Sequence, residues 1–373
     1  MEADAIVADG RGEVLLAGSP SYLWRRAQDG GIYGVAADSV FGAVVARDGT
    51  ARVVPSPVDP RLIHGIRAVG HPDGGWDVVF AEVAPYTGDE RPVVAARLWY
   101  GAYDGVRWTA LEELPTPQGA RLDAVFTSSL VRRGDSLAWA LRPLLQVYPR
   151  DVVVLQRRDG RWTHETVPTR GAVDVDLAYA DTAGLLLAVV QPDPSLQADG
   201  NSLLLWAERP AWRIVRRLVH GYGEGRVYEP SLVRRPDGGL VASWATTVGE
   251  GPESRRELRA LAGALAREQE PTRTLDADVS PWSAAPPLLL PDSTLLWVVH
   301  HLLPGGEASE LRFMRLSEGS PVELGRIPNP YRIRVAAVIP VDDEVLVTGM
   351  EYTRDRFAYS LLLRARLECR DAP

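Results

Sequence analysis

Lysine is absent from this chain of 373 residues, and all 41 residues counted as Lys plus Arg are arginines. The absence excludes Schiff-base chemistry, a catalytic lysine base and the lysine of a phosphate-binding loop. Asparagine occurs only at Asn201 and Asn329, and cysteine only at Cys369. A single cysteine cannot form an internal disulfide, and this one, close to the C-terminus, is not expected to be catalytic.

Basic charge and long apolar runs are also scarce. The formal net charge is −8, with 46% hydrophobic and 24% charged residues, and an acidic balance argues against broad binding to nucleic acid or anionic membranes. No apolar run approaches the roughly 18 residues of a membrane span. The first residues, MEADAIVADGRGE, lack the basic and apolar regions of a signal peptide. We therefore expect a cytoplasmic protein.

What the sequence does contain is a repeat of about fifty residues. Each copy has an apolar strand, a tight turn, a second strand, a loop, a third strand, another turn and a short fourth strand. In residues 61–115, RLIHGIRAV turns at PDGG into WDVVFAEVA, and VVAARLWYGAY turns at Asp104-Gly105 into RWTALEEL. The next copy repeats the last turn at Asp159-Gly160, again followed by Trp and Thr. Four short strands in each of several repeats are typical of a β-propeller.

The repeats predict an all-β, seven-bladed propeller of four-stranded antiparallel blades, with residues 1–373 forming a single domain. The last copy ends after its third strand, so the N-terminal and C-terminal segments are expected to close the ring together. The alternative is six blades plus an N-terminal extension. Trp76, Trp139, Trp244 and Trp297 lie in second-strand segments of the repeats, and we expect them in the core between blades.

Two kinds of segment are less clear from the repeat alone. Residues 253–270 are rich in helix-forming residues, but their place in the repeat favours a third strand over an inserted surface helix. Pairs of adjacent arginines, namely Arg216-Arg217, Arg234-Arg235 and Arg255-Arg256, are expected to be solvated positions on hairpins.

The segment VYEPSLVRRPDGGLVASW (Val227–Trp244) and the two hairpins with Asp-Gly, Trp and Thr resemble the sialidase-like, Asp-box-type propellers. The resemblance implies a propeller fold in which such hairpins are structural. Catalytic sialidases carry an arginine in a Tyr/Phe-Arg-Ile-Pro motif on the first blade. Here Tyr331-Arg332-Ile333 is followed by Arg334 and lies in the last repeat, so no catalytic role is transferred.

A site is expected where the blades converge, on the top face, at which first strands begin and second strands end. Counting residues from the first turn of each repeat places ionisable residues of different blades at the same height along the propeller axis, which we call one level. The candidate catalytic residues are His64, Glu229, His300, His301 and Glu351. The candidate substrate-binding residues are Arg61, Asp123, Tyr228, Trp282, Arg332, Arg334 and Tyr352.

These residue types favour acid–base chemistry. A histidine beside a glutamate in a partly dry funnel can act as acid and base near neutral pH, and an arginine such as Arg334 can hold a carboxylate. Because residues adjacent in a strand face opposite sides, at most one of His300 and His301 can face the channel. No cofactor is predicted. A His/Glu metal site is the less favoured alternative, since no cysteine cluster or compact ligand spacing is present.

The sequence therefore predicts an enzyme that performs hydrolysis, elimination or cyclisation. Its partner would be a small polar or carboxylated molecule, such as a sugar acid or a secondary metabolite, bound in the central pocket of the top face. The alternative is a non-catalytic propeller that binds a ligand or serves as a scaffold for a protein partner.

Overall fold

The computed structural model describes residues 5–366. Excluded within that range are residues 19–21, 27–31, 37–39, 49, 84–94, 118–121, 123–127, 143–150, 170, 181–183, 194–199, 220–225, 250–253, 265–270, 285, 291, 305–307, 318–319, 330–333, 342–343 and 353–357. In the part of the chain that is described, no helix is long and apolar enough to cross a membrane.

Short antiparallel strands form successive sheets along the chain. Blade 1 consists of β1 (Ala5–Ala8), β2 (Val14–Ala17), β5 (Val40–Val45) and β6 (Ala51–Pro55), and the hairpin of β3 (Tyr22–Arg26) and β4 (Ile32–Ala36) is inserted between β2 and β5. A 3₁₀ turn (Pro60–Leu62) precedes blade 2, which consists of β7 (Ile63–Gly70), β8 (Trp76–Val83), β9 (Ala95–Tyr103) and β10 (Trp108–Glu113). Blade 3 consists of β11 (Ser128–Arg133), β12 (Ser136–Leu141), β13 (Val152–Arg158) and β14 (Arg161–Val167).

The second half of the chain continues the pattern. Blade 4 consists of β15 (Asp174–Ala180), β16 (Gly184–Pro192), β17 (Asn201–Ala207) and β18 (Arg213–Val219). Blade 5 consists of β19 (Val227–Arg234), β20 (Leu240–Val248), β21 (Arg255–Leu261) and β22 (Arg273–Ala277). Blade 6 consists of β23 (Val279–Ala284), β25 (Leu295–Leu302), β26 (Ser309–Ser317) and β27 (Ser320–Pro328), with β24 (Leu288–Leu289) also paired to β25. The C-terminal sheet consists of β28 (Arg334–Val341), β29 (Glu344–Tyr352) and β30 (Ala358–Arg366).

The first strands lie at the centre. Strand β7 contacts β1 and β11, β15 contacts β11 and β19, and β28 contacts both β23 and β1. The fourth strands of blades 2, 3, 4 and 6 carry mostly exposed side chains, whereas second strands such as β12 are buried. This gradient from centre to rim is that of a β-propeller.

The described residues form six four-stranded blades, which is the number in the alternative. The expectation of seven such blades is wrong, because the C-terminal sheet has three strands in the described residues. Among the described strands, β1 and β2 pair with β5 and β6 in a blade of their own and add no strand to the C-terminal sheet.

Other predictions from the repeat are confirmed. The four tryptophans predicted for the core lie in the hydrophobic clusters between blades, each at most 1% exposed. Strand β21 shows that the segment rich in helix formers contains a third strand. The Asp104-Gly105 and Asp159-Gly160 turns join third to fourth strands. At the first of them, Asp104 Oδ1 accepts the amides of Val106 and Arg107, each at 2.8 Å.

Arginine pairs were expected at solvated positions on hairpins. Arg217 is exposed, as expected, whereas Arg216 is partly buried. Arg216 Nη1 donates to the carbonyl oxygen of Ala264 at 2.7 Å, across to blade 5, and Arg217 Nη1 lies 2.7 Å from Asp193 Oδ2. The guanidinium groups of this lysine-free chain thus do more than provide surface charge: some of them join neighbouring blades. We call such a contact between two blades an arginine clasp.

Asn201 joins blades 4 and 5 through both atoms of its amide. Its Nδ2 donates to the carbonyl oxygen of Val227 at 3.1 Å, and its Oδ1 accepts the amide of Val227 at 2.7 Å. The pairing satisfies the backbone of the first residue of β19, and Val227 itself is fully buried. This contact fixes the start of an inner strand.

Replacing Asn201 with Ala is expected to lower the free energy of unfolding by about 1–3 kcal/mol, because two buried backbone groups lose their partner. Urea denaturation measures the change. Asn201→Asp keeps the acceptor for the Val227 amide but places a buried, charged carboxylate oxygen against the Val227 carbonyl oxygen, so we expect it to be at least as destabilising as the alanine variant. Equal stability of Asn201→Ala and the unsubstituted protein would contradict this role.

Candidate functional site at the inner strands

The innermost strand of a blade has one edge without a sheet partner, and its backbone groups need other partners. At β19 these partners are two carboxylates of the neighbouring β15. Asp174 Oδ2 accepts the amide of Glu229 at 2.8 Å, and Asp176 Oδ2 accepts the amide of Leu232 at 2.6 Å. Side chains of blade 4 therefore fix the inner edge of blade 5.

First strands are also irregular at one level. In β7 the pairing shifts by one residue between His64 and Arg67, and in β19 it shifts between Tyr228 and Ser231. Strands β23 and β28 contain shifts as well. A bulge redirects the side chains next to it and is common beside active sites. The bulges coincide with the level at which the sequence predicted a site.

Glu229 has an unusual backbone conformation within its bulge. Its φ is +49°, in the left-handed region that residues other than glycine rarely adopt. Residues held in this way are concentrated at functional sites. Pro230 follows directly and is buried. The strained residue is one that the sequence selected as catalytic.

Asp176 connects three inner strands. Ser129 of β11 donates its hydroxyl to Asp176 Oδ1 and accepts the amide of Leu177 at 3.1 Å, while Asp176 Oδ2 binds the amide of Leu232. Desolvation raises the pKa of Asp176 to about 6, although the hydrogen bonds from Ser129 and the two amides oppose the shift. This carboxyl group therefore titrates within the ordinary working range of enzymes.

The raised pKa of Asp176 has a consequence for stability. Because its folded pKa of about 6 exceeds the ordinary 3.8, the folded state holds this proton more tightly, and stability is lost as the pH rises through that interval. Asp176→Asn cannot ionise, so its stability relative to the unsubstituted protein should rise by up to about 3 kcal/mol between pH 4 and 6. Urea denaturation at several pH values measures this difference.

Asp104→Asn provides a control with the opposite sign. The amides of Arg107 and Val106 lower the pKa of Asp104, so its ionised form contributes stability that is lost as the pH falls below about 4. The asparagine variant should therefore lose stability relative to the unsubstituted protein as the pH rises through that acid range. A stability difference for Asp176→Asn that does not change with pH would contradict a raised pKa.

The predicted site residues fall into several groups. His64 lies in β7, Tyr228 and Glu229 lie in β19, and the guanidinium of Arg256 covers the Tyr228 ring at 4.9 Å. For five others, the structure gives only backbone positions: Arg61 lies in the 3₁₀ turn, Trp282 in β23, Arg334 at the start of β28, and Glu351 and Tyr352 at the end of β29. Asp123 and Arg332 lie outside the described residues.

His64 and Glu229 do not come from neighbouring blades. They belong to blades 2 and 5, whose inner strands are separated around the ring by those of blades 3 and 4. The backbone amide of Glu229 donates to Asp174 Oδ2 of blade 4.

His300 and His301 lie in the second strand of blade 6 and are 4% and 7% exposed. His301 Nδ1 lies 3.1 Å from Asp276 Oδ1 of blade 5, and Arg312 Nη1 lies 3.1 Å from the same oxygen. Burial raises the pKa of Asp276, against the opposing influence of His301 and Arg312. The structure thus places His301 in the interface between blades 5 and 6.

Sequence reasoning missed Asp174, Asp176 and Ser129. The signal was present, because Asp174 and Asp176 alternate with apolar residues in VDVDLAYA and so share one face of the first strand of blade 4. Arg142 was missed as well: it is 8% exposed and donates to the carbonyl oxygen of Val173. Of these side chains, Asp174 contacts the backbone amide of Glu229. Among the described residues, no group of three His, Cys, Asp or Glu side chains is arranged to hold a metal ion.

Comparison with known proteins gives the fold. No family model and no curated protein matches the chain. An α-L-arabinanase from Penicillium chrysogenum superimposes with a TM-score of 0.53 at 16% identity, over 84% of this chain and 96% of that one. A PL25 ulvan lyase gives a TM-score of 0.54 at 9% identity, over 99% and 96%. The Kuenenia stuttgartiensis hydrazine synthase gives 0.55 at 11% identity, over 98% and 96%.

The chain shares its β-propeller fold with glycosidases and polysaccharide lyases. At these identities the likeness extends to the fold alone, because one propeller architecture supports many unrelated functions.

Proposed function

We propose that this protein is a carbohydrate-acting enzyme of the hydrolase or lyase type, which works by acid–base chemistry where the inner strands begin on the top face. The observation that carries the proposal is Glu229, a carboxylate residue held at φ +49° in the bulge of an innermost strand. Maintaining that strained conformation costs folding free energy, of order 1–3 kcal/mol. A functional requirement for the direction of this side chain would account for the strain.

The chemistry follows from the residue types. In the elimination reaction, a base removes the proton next to the sugar carboxylate, the bond to the leaving oxygen breaks, and an acid protonates that oxygen. In hydrolysis, a carboxylate activates water or attacks the sugar directly while an acid protonates the same oxygen. Glu229 would act as the base. His64, on blade 2, would approach a bound sugar from another side of the channel.

The nature of the substrate rests on charge. Arg334 begins β28, and a guanidinium there would hold the carboxylate of a sugar acid. The structural neighbours named as an arabinanase and an ulvan lyase support a carbohydrate substrate. A propeller of the sialidase-like kind remains part of the proposal, on the strength of its Asp-Gly hairpins.

The test is a screen of neutral and uronate-containing polysaccharides with purified protein. Both reactions release reducing ends, but only elimination also produces an unsaturated sugar that absorbs ultraviolet light. We expect turnover of a uronate-containing polymer, with the absorbance change deciding between the two classes. If no polymer is cleaved and none binds, measured by affinity electrophoresis, the proposal is wrong.

A further inference from the structure

Asp174 contacts the backbone on both sides of the boundary between blades 4 and 5. It is 8% exposed, its Oδ1 accepts the amide of Val175 at 2.9 Å, and its Oδ2 accepts the amide of Glu229 at 2.8 Å. The second bond reaches the one residue of β19 with a positive φ. A carboxylate from one blade therefore binds the strained residue of the next.

Pro230 limits what Glu229 can do without this bond. The residue before a proline is kept out of the right-handed helical region by contact with the proline ring. Glu229 is thus left with extended conformations, which are unstrained, and with the left-handed conformation that it adopts at φ +49°. In the left-handed conformation observed here, its amide donates to Asp174.

We propose that Asp174 is a positioning residue that selects the left-handed conformation of Glu229 and thereby sets the direction in which this side chain leaves β19. Asp176 holds the far end of the same bulge through the amide of Leu232. The conformational part of the proposal stands on the backbone geometry alone. Its catalytic consequence rests on the proposed function.

The conformational part predicts that the effect of removing Asp174 on stability depends on the residue at position 229, and it predicts the sign of this dependence. If Asp174 imposes the strain, removing it allows residue 229 to return to an extended conformation and recover the strain energy, unless residue 229 is glycine, which has no strain to recover. Asp174→Ala should therefore be less destabilising beside Glu229→Gln than beside Glu229→Gly. We expect the effect of Asp174→Ala on the unfolding equilibrium constant to differ about fivefold between the two backgrounds. This factor corresponds to the lower end of the usual free-energy cost of a strained backbone conformation.

Glutamine is the proper reference at position 229, because it has nearly the same shape as glutamate and keeps the Cβ atom and therefore the strain at positive φ. Urea denaturation is carried out on Glu229→Gln, on Glu229→Gly and on each of these combined with Asp174→Ala. The four unfolding free energies give the difference between the two effects of Asp174→Ala. If the alanine variants do not fold, Asp174→Asn replaces Asp174→Ala. Equal effects in the two backgrounds, or a larger effect beside Glu229→Gln, would overturn the proposal.

The catalytic part is tested on the polysaccharide found in the screen above. Asp174→Asn should lower kcat at least tenfold with little change in KM, because a misdirected carboxylate still allows binding. Asp9→Asn is the matched control: Asp9 accepts the amides of Arg11, Glu13 and Gly75 and is also buried, but it joins blades 1 and 2. An equal fall of kcat in both variants would overturn the catalytic part. If no polysaccharide is cleaved, the proposed function fails, while the coupling measurement still decides the role of Asp174.

Discussion

Replacing Glu229 with Gln is expected to lower kcat on the substrate polysaccharide by about 10²- to 10⁴-fold, the usual contribution of a positioned general base. Glutamine has nearly the same shape and keeps the Cβ atom, so the backbone at φ +49° and the amide bond to Asp174 should be preserved. The only change is the loss of a group that can accept a proton. Steady-state kinetics at several pH values measure the effect.

Glu113→Gln is the control for this substitution. Glu113 ends the outermost strand of blade 2 and is exposed, so kcat should be unchanged. The Glu229→Gln protein should also unfold at the same urea concentration as the unsubstituted protein, which separates a chemical loss from a folding defect. Retained turnover in Glu229→Gln would remove Glu229 from the reaction.

Replacing Asp77 with Ala is expected to lower the free energy of unfolding by about 3–5 kcal/mol, as when one partner of a buried ion pair is removed. Asp77 is 2% exposed and joins blades 2 and 3. Its Oδ1 accepts the hydroxyl of Tyr100 at 2.7 Å, and its Oδ2 lies 2.7 Å from Arg132 Nη1 and 3.0 Å from His71 Nε2. The substitution breaks this arginine clasp and leaves three polar groups without the carboxylate.

Asp135→Ala tests the same arginine at a solvated position. Asp135 Oδ1 lies 4.0 Å from Arg132 Nη2, and its side chain is fully exposed. Exposed ion pairs contribute about 0–1 kcal/mol, so this variant should differ little from the unsubstituted protein. Comparable losses for Asp77→Ala and Asp135→Ala would show that burial is not what makes the Arg132 clasp strong.

The fold could be predicted because its signals are local and repeated. Alternating apolar residues and Asp-Gly turns mark each hairpin, and the tryptophans recur where second strands pack between blades. The number of four-stranded blades could not be obtained in this way. It depends on whether β1 and β2 pair with β5 or with the last sheet, and both pairings satisfy the same local pattern.

The candidate site was predicted less completely than the fold. The level of the site follows from the repeat, and bulges beside His64 and Glu229 occur at that level. Contacts between blades do not follow from it. Asp174 and Glu229 are 55 residues apart in the chain, and the face that each side chain presents depends on the packing of neighbouring blades.

The arginine clasps have a chemical consequence. Contacts such as Arg132–Asp77 and Arg216 with the carbonyl oxygen of Ala264 are made by guanidinium groups, and this chain has no side-chain amine. Acetic anhydride and succinimidyl esters, which acylate lysine, find no target at these positions. Reagents of this kind, which disrupt ion pairs in lysine-containing proteins, should leave the contacts between these blades intact.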